Sequence, residues 1–234
     1  MLRPCAALPL GLLLLTGGCL STDPSSGGLP LDFEFTVPDG AAGWQPGAAD
    51  YPVGSEATVD IVADQRALPA EVSTQFLGLY QSGTNVGSDL FIFYKKFLTA
   101  PPGTYKVTAL VQFVSNAHGE CSSGVGVDVV MKAGASAVEP IAAPDGQNVY
   151  RMNIDKGTQT TGGDFIQLPD IRNGLAGCPA VGTFGARTTA LFPQQEDLVV
   201  GDAGGFWAFF ATQSSFAGRH EIYFTHLRLV LLKL

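Results

Sequence analysis

GTYKVTALVQFV (residues 103–114) alternates with a period of two: Tyr105, Val107, Ala109, Val111 and Phe113 fall on one face, Lys106, Thr108 and Gln112 on the other. Successive side chains of a strand point to opposite faces, so this is the pattern of a strand with one buried side. Pro101-Pro102-Gly103 precedes it as a turn, and LFIFYKKFL (90–98) before the turn reads as its hairpin partner. Leu31, Phe33, Phe35 and Val37 alternate with Asp32, Glu34 and Thr36 in the same way. Further strands are expected at 57–63, 75–81, 126–132, 149–154, 206–212 and 221–232, and no segment has the 3.6-residue period of an ordinary amphipathic helix. About nine strands with glycine-rich turns predict an all-β fold, an antiparallel β-sandwich of the jelly-roll kind. The long apolar strand IYFTHLRLVLL (222–232) has to lie inside a sheet, because an exposed edge of that kind aggregates.

The 234-residue chain is 46% hydrophobic and 15% charged, the balance of a packed core, and its formal charge is −8. No basic cluster is denser than Lys95-Lys96, so nucleic acid is not an expected partner. The start, Met1-Leu2-Arg3, an apolar run from Ala6 to Leu15 and the small residues Thr16-Gly17-Gly18 before Cys19 read as a signal peptide. The run is about half of the roughly 20 residues that span a bilayer. Removing residues 1–18 takes away one base, Arg3, and no acid, which leaves −9. Residues 19–30 (CLSTDPSSGGLP) read as an anchor and a flexible Ser/Gly/Pro tether, and residues 31–234 as one β-sandwich domain. Cys121 and Cys178, each in a Gly/Ser/Pro-flanked loop, are expected to pair as a disulfide in an exported chain; a metal site and two free thiols are the rival readings.

Gly17-Gly18-Cys19 resembles the lipobox of bacterial lipoproteins, with Thr16 in place of the usual leucine. The resemblance implies that Cys19 becomes an acylated N-terminus carrying two or three palmitate-type chains, enough for stable attachment to a lipid bilayer. Leu20 rather than Asp after the cysteine points, by similarity to enterobacterial sorting, to an outer-membrane lipoprotein of the cell envelope. As architecture, LDFEF at 31–35, the WQPG turn, the Pro-Pro-Gly turn and the closing FFATQSSFAGRHEIYFTHLRLVL resemble jelly-roll modules of the galactose-binding or carbohydrate-binding type. NIDKGTQTTGGDF (153–165) is similar to a segment of an uncharacterised bacterial lipoprotein family. Neither resemblance brings a catalytic motif.

The binding candidates lie in loops. In residues 153–165, Asp155, Gln159 and Asp164 sit among glycines, a set of oxygens suited to sugar hydroxyls or to calcium through Asp155 and Asp164. The segment lacks the order of an EF-hand, and carboxylates satisfying backbone amides in a turn are the simpler reading. Trp44 can stack on a pyranose ring or plug the end of the sandwich. Tyr80, Asn85 and Asp89 in YQSGTNVGSDLF offer donors and acceptors on a rim. Trp207 inside FWAFF is expected in the core. Catalytic groups are few: no H-E-x-x-H, G-x-S-x-G or P-loop appears. His226 and Arg228 share a face of the last strand, with Tyr223 expected opposite, and are the candidates for a polysaccharide lyase or hydrolase. The leading expectation is a lipid-anchored protein that binds a glycan without chemistry and needs no cofactor; an enzyme on polysaccharide and an assembly lipoprotein docking an envelope protein are the alternatives.

Overall fold

The structure, a computed structural model, describes residues 29–37, 43–87, 89–179 and 181–234. The strands in the first half are β1 (Leu31–Thr36), β2 (Gln45–Ala49), β3 (Val62–Ala67), β4 (Leu77–Asn85), β5 (Leu90–Thr99) and β6 (Gly103–Ser115). They continue with β7 (Val129–Ser136), β8 (Ala142–Pro144), β9 (Tyr150–Met152), β10 (Phe165–Asp170) and β11 (Gly185–Thr188). The last are β12 (Phe192–Pro193), β13 (Leu198–Val200), β14 (Gly205–Ser214) and β15 (Gly218–Lys233). Two single-turn helices, α1 (Glu56–Val59) and α2 (Val125–Asp128), precede β3 and β7. Cys19, and with it the signal peptide and most of the tether, lies outside the described residues. Among the described residues no helix is long and apolar enough to cross a membrane.

The chain is an antiparallel β-sandwich. One sheet runs β3-β4-β15-β6; β1 continues along β15 where β4 stops, and β11, β12 and β13 line the other edge of β6 in series. The second runs β2-β5-β14-β7-β10. As its hydropathy requires, β15 has neighbours on both edges. Between the sheets Phe210 packs 4.5 Å from Phe224 and 4.7 Å from Trp44, with Tyr105, Val107, Val111 and Phe113 of β6 and Leu227, Leu229 and Leu231 of β15 around them. Each such side chain contributes about 1.5–3 kcal/mol by leaving water.

Four local expectations are corrected. β5 and β6 are not a hairpin: β5 is filled on its two edges by β14 and β2, and β6 by β15 and β11–β13, so Ala100-Pro101-Pro102 carries the chain from one sheet to the other. Residues 57–60 are not strand, because α1 has Glu56 in its first turn and closes with Asp60 left-handed, its amide donating to Glu56 O at 3.0 Å. Residues 126–128 likewise belong to α2, and the strand starts at Val129. In β15 a bulge between Phe224 and His226 inserts one residue, so the buried series passes from Ile222 and Phe224 to Leu227 and Leu229. That resets the alternation and puts Tyr223 on the same outer face as Arg228 rather than opposite.

Inside one end of the sandwich His220 is 2% exposed, with Nε2 3.0 Å from Thr212 Oγ1, and Gln81 donates to the same hydroxyl. Burial first, and the Arg219 charge second, push its pKa down to about 4 from 6.5. The folded state thus refuses a proton that the unfolded chain takes up, and stability is lost as pH falls from 6.5 to 4. The loss reaches about 3 kcal/mol. Chemical denaturation across that window, compared with His220→Gln, checks it: the variant is expected to lack this part of the slope.

Candidate functional site

The outer face of the second sheet is as apolar as its inner face. Phe91 and Phe93 of β5 alternate with Ile92 and Tyr94, and Phe165, Phe209 and Ala211 join Phe91 and Phe93 in a second cluster separate from the main core. Such a face cannot stay open to water, and the connection from β7 to β10 folds back over it. Met152, Ile154 and Ala142 of that connection pack on the cluster, with β8 and β9 paired as a short ribbon. The approach is close: a Cβ added at Gly134 would stand 2.3 Å from Asp164 O.

Under the connection lies Lys132, fully buried on β7. Its Nζ donates to the carbonyls of Lys156 and, at 2.6 Å, Thr160. Removal from water, and then the nearby Lys156 charge, push its pKa down to about 8, against the opposing pull of Asp89, Asp155 and Asp50. The ammonium thus fills the inside of loop 153–165. The loop's carboxylates turn to its own backbone: Asp155 accepts from Gly157 N (3.0 Å) and Gly163 N (2.8 Å), and Asp164 from Asp155 N (3.0 Å). Those amides of Gly163 and Gly157 hold the Asp155 carboxyl below the usual carboxylate range. No group of three or more His, Cys, Asp or Glu placed to hold a metal ion occurs among the described residues.

Beside this loop opens a cleft of about 420 Å³ lined by Asp50, Asp89, Arg151, Asp155, Lys156 and Gln159, with Met152 and Ile154 as its apolar wall. Asp50, at the end of β2 with φ +64°, is the hub: Arg151 Nη1 lies 2.7 Å from one oxygen and Lys156 Nζ 2.8 Å from the other. The Asp50 carboxylate holds the Arg151 pKa above its ordinary value, with Asp145 adding to it. Asp89 accepts from Gln159 Nε2 at 3.2 Å and Gln213 Nε2 at 2.5 Å, and lies 3.7 Å from Lys156. Three carboxylates, Asp50, Asp89 and Asp155, therefore line the cleft with two cations, Arg151 and Lys156, and the buried ammonium of Lys132 behind the wall supplies the third positive charge, attracted to the same three carboxylates. The cleft is charge-balanced yet rich in donors and acceptors.

Of the residues singled out in the sequence, Asp89, Asp155 and Gln159 meet in the cleft, and Asp164 braces it from behind. Trp44 does not: it is 8% exposed, edge-on to Phe35 at 5.4 Å and against Phe210, so its ring plugs the core and has no face for a sugar. Tyr80 is buried on the other sheet under the Arg66 guanidinium, 4.1 Å from its ring, and donates to Glu221 at 3.0 Å. Asn85 is buried too, donating to Ser214 O and accepting from Gly87 N, which makes it a turn residue. Trp207 is not core but half-buried on the outer face, 5.4 Å from the exposed Phe97.

His226 Nε2 lies 3.0 Å from Glu34 and Arg228 grips Asp32 with two nitrogens, so both are paired across β1 instead of facing the cleft. Cys121 and Cys178 are bonded, at 2.01 Å. Asp50, Arg151 and Lys132 were missed by sequence reasoning. A second hollow, about 480 Å³, lies on the first sheet between Val37, Val72 and Phe76. Its floor groups Gln112 and Thr225 already bond to each other at 3.2 Å, so it offers fewer free polar groups.

No protein-family model and no curated protein matches the chain. Among solved structures, the carbohydrate-binding module TmCBM61 in complex with β-1,4-galactotriose is 9% identical with a TM-score of 0.36, over 80% of this chain and 88% of that one. A structure from carbohydrate-binding modules of the β-sandwich superfamily with promiscuous specificity is 12% identical at 0.36, over 82% and 58%. The enzymatically active domain of bacteriophage CBA120 tailspike protein 4 is 11% identical at 0.35; the match covers 79% of this chain and 19% of the tailspike chain. Likenesses this loose say nothing of ligand or chemistry.

Proposed function

We propose that the protein is a lipid-anchored cell-envelope module, exported by residues 1–18 and held through acylated Cys19, that binds a neutral glycan in the Asp50–Arg151–Lys156–Asp89 cleft without transforming it. The charge balance of that cleft carries the reading. A net positive pocket would select anions and a net negative one cations; a neutral cluster of carboxylates, guanidinium and amide suits the paired donors and acceptors of vicinal hydroxyls. Met152 and Ile154 supply apolar surface for the C–H face of a sugar. Gln159 and Arg151 are the side chains to remove, because both reach the cleft from its rim. Each lost charge-assisted bond costs about 1.5–3 kcal/mol, so Arg151→Ala or Gln159→Ala is expected to weaken binding roughly tenfold or more in calorimetric titration. Calcium chelation should leave the affinity unchanged, since the Asp155 and Asp164 carboxylates already accept from backbone amides. Unchanged affinity in both variants would remove the cleft from the account. For the anchor, fatty-acid labelling that persists after Cys19→Ser would refute the attachment.

A further inference from the structure

The ends of the sandwich differ. At one of them β1, β6 and β14 begin and β5, β7, β13 and β15 finish, as the pairs Leu31↔Leu231, Tyr105↔Lys233, Val200↔Gly103, Thr99↔Gly205 and Trp207↔Ser136 show. The opposite end carries Asp89 and the glycan cleft. Six large apolar side chains at the first end, Leu29, Phe97, Val138, Val199, Leu232 and Leu234, are exposed, from 45% for Leu232 to 91% for Leu29. Val199 and Leu234 flank Thr104 from its two sides, one by strand pairing and the other through Leu234 N to Thr104 O at 2.9 Å. Trp207 and Phe97 stand on the adjoining outer face.

We infer that this end is a membrane-contacting surface, which seats the domain on the lipid bilayer and presents the glycan cleft away from it. The inference rests on the Cys19 anchor proposed above. Cys19 precedes Leu29 by ten residues, and a fully extended chain of that length reaches at most about 36 Å, so the anchored lipid cannot stray far from the Leu31 end. Exposed aromatic and aliphatic side chains such as Phe97 and Leu234, with the half-buried Trp207 beside them, are what the headgroup boundary takes up. Charge agrees: the chain carries −8 overall, but here Lys106 lies 2.5 Å from Asp197 and Lys233 offsets Asp202, so these groups add no net repulsion from an anionic leaflet.

Trp207 is the natural reporter, because the other tryptophan, Trp44, is buried in the core. The full-length protein, purified from an exporting host with its lipid, is reconstituted into phosphatidylcholine–phosphatidylglycerol vesicles with brominated or plain acyl chains. Side chains seated ~5–10 Å into the interface meet the bromines, so emission is expected to fall about twofold in the brominated vesicles. The Trp207→Phe variant, reporting Trp44 alone, should show no fall. Protein that floats with the vesicles but is not quenched overturns the seated orientation while leaving the anchor intact. Protein that neither floats nor carries an acyl mass on Cys19 overturns both. A further check is the double variant Phe97→Ser, Leu234→Ser in the Cys19→Ser background, which should lose the residual vesicle binding that Cys19→Ser alone retains; equal binding by the two counts against the surface.

Discussion

Raising the pH from 8 to 10.5 is expected to stabilise the wild-type fold relative to Lys132→Met by about 3 kcal/mol. Lys132 has an ordinary pKa of 10.5 when unfolded and about 8 beneath loop 153–165. Across that window the unfolded chain binds the proton and the folded one has released it, so stability rises with pH. Below pH 8 the buried ammonium is a net burden that the carbonyls of Lys156 and Thr160 offset only in part. Buried tyrosines act in the opposite sense above pH 10: desolvation raises Tyr94, so the unfolded chain loses that proton first. The difference between wild type and variant isolates the lysine. Denaturant melts at several pH values make the measurement, and parallel curves would contradict the burial of Lys132. The same variant strips two carbonyls in the loop of their donor, so amide exchange over residues 153–165 is expected to quicken.

Breaking the Cys121–Cys178 bond is expected to cost about 4 kcal/mol, because the crosslink closes a loop of 57 residues whose freedom the unfolded chain would regain. The bond fastens two irregular segments. Across them His118 Nδ1 lies 2.9 Å from Ala176 O, and Gly177 N donates to Glu120 at 2.7 Å. Gly119 N donates to Leu175 O at 2.8 Å and Thr183 N to His118 Nε2 at 3.0 Å, but such hydrogen bonds contribute only about 0.5–1.5 kcal/mol each and do not restrict the unfolded chain as a covalent link does. Paired Cys→Ala replacement, compared with wild type by chemical denaturation, gives the number; a loss below about 1 kcal/mol would mean that the unfolded state is already constrained there.

The fold was legible wherever one face of a strand is wet. β1, β6 and most of β15 keep strict alternation, and their inward residues are those of the core. β5 misled because both its faces are covered, one by the core and one by the β7–β10 connection, so its apolar run matched a neighbour in sequence rather than β14 across the sheet. Nothing at Thr225, neither Gly nor Pro, announces the bulge that turns Tyr223 to the side of Arg228. Within the cleft, Asp89, Asp155 and Gln159 were visible as polar residues in glycine-rich loops. Asp50 and Arg151 were not, since they meet from 101 residues apart and each alone is an ordinary surface charge. Lys132, inside the apolar run VVMKAGAS, was the available hint: a charge there needs partners from elsewhere in the chain.

The most direct measurement of the central claim is an NMR titration of isotope-labelled protein with neutral and acidic oligosaccharides, following the side-chain amide of Gln159 and the guanidinium of Arg151. The account predicts saturable shifts at these two groups and in the backbone of residues 153–159, with a neutral oligosaccharide and not with an acidic one. Shifts confined to the hollow around Phe76, or no shifts from any oligosaccharide with the protein folded, would contradict it.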